Sequence, residues 1–202
     1  MVERRRLGRR RGPLRPCDGS RRAIVTRAPL AAEHPVADAF RAAFRAHPAG
    51  VAIITALSAD GPVGVTASSV ASVSVRPPAV SFSLTAGARA TPGIVGGTSV
   101  LVHLLDAEDA PLARRFAAPG VDRFGPGTQW ELTDEGEPRL RGVGTALRCR
   151  VHRVLDVGDS VLVAAFVTGV SGAGHRGRRL VYAERSFHSL APVSGPAAMT
   201  NE

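Results

Sequence analysis

With 202 residues, 44% hydrophobic and 21% charged, the chain has the length of one domain plus a tail and the composition of a globular protein. No apolar run approaches the roughly 20 residues that a membrane helix needs, so a spanning segment is not expected. The net charge of +9 would suggest a nucleic-acid partner, but residues 1–35 alone carry ten Arg against three acids and the remainder is nearly neutral, with no basic stripe interleaved with aromatics.

Residues 1–35 read as a disordered, Arg-rich extension. Arg9 to Arg22 leads into no apolar run of the kind a secretory signal requires. Order is expected from 36 to 190, followed by a flexible tail over 191–202. Val36, Phe40, Ala43 and Phe44 fall at helical spacing, so an amphipathic helix is expected over 36–47, ended by Pro48 and Gly50. Strands follow at Val51–Ala56 and Val63–Ala67, joined by an Asp60-Gly61 turn. Further strands are expected at Val70–Val75 and Ala79–Leu84. Thr91–Gly96 reads as a helical turn, Ser99–Leu105 as a buried strand and Glu108–Ala117 as a helix. Residues 121–142 are rich in Gly and Pro and read as loop around Trp130. Thr145–Leu155 and Val161–Val170 are long strands joined by a tight turn, and Leu180–Ala183 and Ser186–Leu190 close the domain. Many short strands with few helices predict a mainly β barrel, and no GxGxxG follows a strand to suggest a Rossmann site.

The usual catalytic signatures are missing. There is no GxSxG, HExxH or Cys-x-x-Cys, the six His show no ligand spacing, and Lys is absent, which excludes Schiff-base chemistry. Cys17 and Cys149 suggest neither a zinc site nor a disulfide framework, in keeping with a reducing cytoplasm. An enzyme of this kind would take its chemistry from a cofactor. Hydroxyls and small residues crowd Gly64 to Pro78. They could admit a flat ring and donate hydrogen bonds to it. An edge strand with Ser and Thr facing water is the other reading.

The order of motifs carries more. His47-Pro48-Ala49-Gly50-Val51 is followed by Gly64-Val65-Thr66-Ala67-Ser68-Ser69 and Ser72-Val73-Ser74-Val75-Arg76-Pro77-Pro78. Then come Leu112 to Ala117, Asp122-Arg123-Phe124, Gly136-Glu137-Pro138-Arg139-Leu140, a strand with Cys149, and Leu180-Val181-Tyr182 with Arg185 and Phe187. In this order the chain resembles the flavin reductase-like proteins of the FMN-binding split-barrel group, from about Phe40 to Leu190. The resemblance implies a homodimeric, mainly β split barrel with a few short helices. It implies FMN or FAD as the flavin, NADH or NADPH as reductant, and a flavin-dependent monooxygenase as possible partner. It places Thr66, Ala67, Ser68 and Ser69 at the flavin ring and ribityl chain, and Ser83, Leu84, Ala88 and Arg89 toward the phosphate, with Val102 and His103 nearby. Gly158, Asp159, Ser160, Tyr182 and Arg185 fall on the nicotinamide side. No side chain is assigned a catalytic role, because hydride transfer between two rings needs none at the reacting carbon.

Three positions depart from the family pattern. Ser160 stands where the family has His, Ala88-Arg89-Ala90 where relatives have Ser-x-Thr, and His103 where relatives often have Asn. Arg89 could replace the lost phosphate donors or be a solvated loop residue. His103 alternates with apolar neighbours, as either a flavin contact or a satisfied core histidine would. The rival readings are a flavin carrier without nicotinamide turnover, and a non-enzymatic scaffold whose Arg tail binds an acidic partner.

Overall fold

The computed structural model describes residues 35–172, 174 and 177–192. The expectations for residues 1–34 and 193–202 lie outside the described residues.

The fold is mainly β. Helix α1 covers Ala37–Ala46, and strands β1 (Ala49–Gly50), β2 (Ala52–Ser58), β3 (Gly61–Ala67), β4 (Ala71–Val75) and β5 (Pro78–Thr85) follow. Next come α2 (Thr91–Gly96), β6 (Ser99–Leu104), a short 3-10 turn, and α3 (Ala110–Ala117). The chain ends with β7 (Trp130–Leu132), β8 (Pro138–Leu140), β9 (Thr145–Val157), β10 (Ser160–Ser171), β11 (Leu180–Ala183) and β12 (Ser186–Ser189).

Seven strands form one antiparallel sheet in the order β3-β2-β6-β9-β10-β5-β4. Its two edge strands, β3 and β4, are consecutive in the chain. Only residues 68–70 join them, a connection that reaches at most about 14 Å even when extended. The sheet must therefore curl until its edges approach. Ser69 clasps the seam, its Oγ donating to the Ser83 carbonyl at 3.0 Å and accepting from the Ser83 N–H at 2.9 Å.

Period-two alternation sorts the side chains into two cores. Ala52, Ile54 and Ala56 of β2 point inside the curled sheet with Val100, Val102, Phe82, Val163 and Cys149. Ile53 points the other way, to a second cluster of Val51, Leu105, Ala113, Phe116, Leu140 and Leu180. That outer layer is built by α3, the β7–β8 ribbon and the β11–β12 hairpin, so β2 is buried on both faces and reads as a continuous apolar run. Cys149 is fully enclosed and burial pushes its thiol up to about 12, so it is inert at neutral pH.

The structure differs from the sequence reading in three places. Residues 121–142 are not all loop: β7 and β8 pair there, and the Trp130 indole N–H donates to the Phe124 carbonyl at 2.8 Å. Asp122-Arg123-Phe124 reads in the sequence as a helix-exit salt bridge and packing anchor, but Arg123 makes no ion pair with Asp122 among the described residues and instead caps α3, donating to the carbonyls of Phe116 and Ala118. Helix α1 forms where expected, yet none of its residues is buried, and Phe40 and Phe44 are 59% and 61% exposed.

Candidate functional site: a cleft between strand β3, helix α3 and the last hairpin

The outer face of β3 carries Gly64 and Thr66. A Cβ at Gly64 would lie 2.7 Å from the Phe116 ring, so only glycine lets α3 settle this close to the strand. The Thr66 hydroxyl then donates to the Ala113 carbonyl at 2.7 Å, fastening the helix along β3. With Ala113 and Phe116 turned into the core, Arg114 and Ala117 face outward.

The opposite wall is the β11–β12 hairpin. Leu180 anchors it in the second core, and Gly50 and Ala49 of β1 pair with Val181 and Tyr182. Its loop has only two residues, Glu184 (φ 48°) and Arg185 (φ 60°), both in the left-handed region, as in a type I′ turn. Neither is glycine, so the conformation costs about 1–2 kcal/mol per residue.

Between these walls lies an open cleft of about 680 Å³, a volume in the range that holds cofactors. Thr66 and Ser68 of the expected flavin side and Tyr182 and Arg185 of the expected nicotinamide side all line it. The sequence reading had not placed Arg114, Ser186 or Phe187 here, and they line it too. Tyr182 and Phe187 meet edge to face at 5.2 Å, and the Arg114 guanidinium sits 5.4 Å from the centre of the Phe187 ring.

The remaining expected residues lie elsewhere or are spent. Val102 and His103 have no exposed surface. Of the two readings of His103, the structure gives the core histidine: Nδ1 lies 3.2 Å from the Ile53 carbonyl and Nε2 accepts from the Leu140 N–H at 3.1 Å. Both nitrogens being engaged, its ring has nothing to offer a flavin. Burial, only partly offset by the Ile53 hydrogen bond and aided by the nearby Arg139 charge, lowers its pKa to about 4. Its parity explains the placement. His103 shares the outer face of β6 with Leu105, while Val100 and Val102 point inward. Ala67 and Leu84 are also core side chains, at 7% and 5% exposure, and can offer a ligand only backbone.

Gly158, Asp159 and Ser160 form the β9–β10 turn and do not line the cleft. The Asp159 carbonyl accepts from the Ala86 N–H at 2.9 Å, and Ser160 Oγ donates to Asp159 Oδ1 at 3.1 Å. The turn therefore abuts the loop that leads to Ala88 and Arg89. Arg89 lines a different cavity of about 870 Å³, beside Asp60, Gly93, Asp122 and Arg123. Among the described residues no cluster of His, Cys, Asp and Glu could hold a metal ion, and no helix is long and apolar enough to cross a membrane.

Comparison with known families matches residues 44–191 to the flavin reductase like domain. The chain belongs to that family. It is 41% identical over 131 residues to the NADH:FMN oxidoreductase of Rhodococcus erythropolis, covering 65% of this chain and 68% of that protein. A solved flavin reductase domain protein from Arthrobacter sp. FB24 superposes with a TM-score of 0.74 at 33% identity, covering 78% of this chain and 98% of that one. Another is the Streptomyces globisporus NADH:FAD oxidoreductase SgcE6, in complex with NAD and FAD fragments. Its TM-score is 0.71 at 27% identity, with 80% and 98% of the two chains covered. The family resemblance drawn from motif order therefore holds.

Proposed function

We propose that this flavin reductase family member uses NADH or NADPH to reduce FMN or FAD, works as a split-barrel homodimer, and passes the reduced flavin to a separate monooxygenase. The observation that carries the reading is the cleft. It gathers hydroxyls (Thr66, Ser68), aromatic faces (Tyr182, Phe187) and cations (Arg114, Arg185) in a chain without a catalytic acid–base set. The residues fit a nucleotide cofactor. Ser68 is exposed and makes no side-chain hydrogen bond among the described residues, so its hydroxyl is available to a ring or ribityl oxygen. The bound pair supplies the chemistry, a hydride passing from nicotinamide to flavin. The chain holds the rings, orients them and limits water at their contact.

The uncovered apolar surface supports the dimer. Phe40 and Phe44 stack at 4.7 Å on a helix with no buried residue, and Val73 and Val75 on edge strand β4 are 61% and 77% exposed. A second copy would cover such a face. Relatives named FMN and FAD reductases both occur, so either flavin suits the reading.

The test is consumption of NADH and NADPH by purified protein, with and without added FMN or FAD. Turnover that depends on flavin is expected, with an elution mass of two chains. A second reading, a flavin carrier without nicotinamide turnover, is favoured by Ser160, whose hydroxyl is turned to Asp159, and by Ala88 and Ala90, which offer no hydroxyl donor. Flavin binding without turnover, recovered by Ser160→His, would select it.

A further inference from the structure

The two guanidinium groups of the cleft belong to no internal network. Neither Arg114 nor Arg185 has a carboxylate or hydrogen-bond partner among the described residues. Two neighbouring Arg side chains are engaged, Arg115 with the Asp122 and Pro126 carbonyls and Arg141 with Glu131. No Asp or Glu lines the cleft. Two unneutralised cations converging on a concave, acid-free surface make a site for an anion with several oxygens.

The backbone that carries each of the two cations is also held. Arg114 projects from α3, whose position is set by the Gly64–Phe116 contact and the Thr66 hydrogen bond. Its plane lies by the Phe187 ring, a contact that steadies a guanidinium while leaving its N–H edge free to donate. Arg185 is fixed by a turn with two positive φ values, and the Glu184 N–H donates to the Arg45 carbonyl at 2.8 Å. Backbone strain kept beside a cleft is a mark of a functional position.

Resting on the reductase reading above, we infer that Arg114 and Arg185 form a clamp for the pyrophosphate of the nicotinamide dinucleotide. The flavin phosphate is the other anion available to a reductase. Its expected place is the loop of Ala88 and Arg89, and Arg89 opens on the separate cavity. The clamp shares its cleft with Tyr182, the other residue of the expected nicotinamide side. Ser160, in contrast, stands away from the cleft and carries no charge, so the clamp supplies reductant affinity that the β9–β10 turn of this chain does not.

The experiment measures binding as well as turnover. ADP-ribose, which has the pyrophosphate but no nicotinamide, is titrated by calorimetry into full-length protein carrying oxidised FMN. Wild type is compared with Arg114→Gln, Arg185→Gln and Arg114→Lys, and FMN affinity is read separately from flavin fluorescence. Each Gln variant is expected to bind ADP-ribose about tenfold more weakly, as loss of a charge-assisted hydrogen bond implies, and Lys to recover part of the loss. The same variants should raise KM for NADH more than they lower kcat. Their preference for NADH over a phosphate-free N-alkyl dihydronicotinamide should fall by a similar factor. ADP-ribose affinity that ignores both arginines, or no ADP-ribose binding by wild type, overturns the clamp. Weakened FMN binding with ADP-ribose unaffected overturns it in favour of the flavin phosphate. Arg-dependent ADP-ribose binding without NADH oxidation keeps the clamp and overturns the reductase reading instead.

Discussion

The outer layer of the sheet holds two sets of polar groups built to opposite specifications. Around β6 and β8 the buried side chains of His103, Thr55 and Glu137 are committed. His103 bridges Ile53 and Leu140, the Thr55 hydroxyl donates to the Pro138 carbonyl at 2.5 Å, and the Glu137 carboxylate accepts from Ser99 and Thr133. In the cleft beside α3, Ser68, Arg114 and Arg185 make no side-chain hydrogen bond or ion pair among the described residues. Residue type does not distinguish the sets, since hydroxyls and cations occur in both places. What distinguishes them is whether the hydrogen-bonding capacity has been used within the chain, and only unused capacity is available to a cofactor.

The largest effect should come from the committed set. His103→Leu keeps the volume but orphans the buried Leu140 N–H and removes a hydrogen bond to the Ile53 carbonyl, together costing about 3 kcal/mol. Urea unfolding measures it. A loss below about 1 kcal/mol would mean that water reaches these groups and that the two regions are not so different.

Acid should find the same residue. The folded pKa of His103 is about 4 against 6.5 for the free side chain. Between these values the unfolded chain holds a proton that the folded chain does not, so acidification favours unfolding. The loss begins as pH falls below about 6.5, is complete near 4, and amounts to about 3 kcal/mol. Glu137 does not share this window. Burial pulls its pKa up, but hydrogen bonds from Ser99 and Thr133 and the Arg148 charge outweigh that and hold it below the ordinary value. Its contribution is present above the ordinary carboxylate range and is lost at lower pH. Unfolding free energies at a series of pH values should show the His103 slope, and His103→Leu should remove it.

These contrasts explain what the sequence made legible. Long strands and the turns between them were readable because alternation and turn residues are local. The β7–β8 ribbon was not, because three-residue strands inside a Gly- and Pro-rich stretch are too short to show a period. Alternation along Val100–Leu105 could have shown His103 sharing a face with Leu105, but it could not show that Ile53 and Leu140 would satisfy both nitrogens. The same limit hid Arg114. Its spacing on α3 marks it as outward, but only the return of β12, some seventy residues later, gives that outward face a partner in Phe187. Tyr182 and Arg185, which line the cleft, were expected together through motif order, which carries long-range information that periodicity lacks.

Two neighbouring hydroxyls test the comparison at smaller scale. Thr66 and Ser68 both line the cleft and are two residues apart on β3 and its exit, yet Thr66 is bonded to Ala113 and Ser68 is not. Thr66→Val should lower stability by about 1 kcal/mol. Ser68→Ala should change stability by less than about 0.5 kcal/mol. On the proposed reading, Ser68→Ala should still weaken flavin binding about fivefold, the worth of one neutral hydrogen bond. Thermal melts and flavin fluorescence titrations of the pair separate these roles. Equal stability losses at both sites would erase the distinction.

The last effect has the opposite sign. Glu184 and Arg185 occupy a two-residue hairpin loop whose φ values of 48° and 60° suit Asn-Gly far better than Glu-Arg. Replacing both by Asn-Gly relieves left-handed strain but gives the unfolded chain the extra freedom of glycine, so the net gain should be about 1 kcal/mol. The same change removes one cation from the cleft and should raise KM for NADH. A more stable protein that binds its reductant less well is the signature of strain retained for function. If instead the double variant is less stable, the Arg185 side chain contributes to folding. It would then belong with His103 among the committed groups rather than with Ser68.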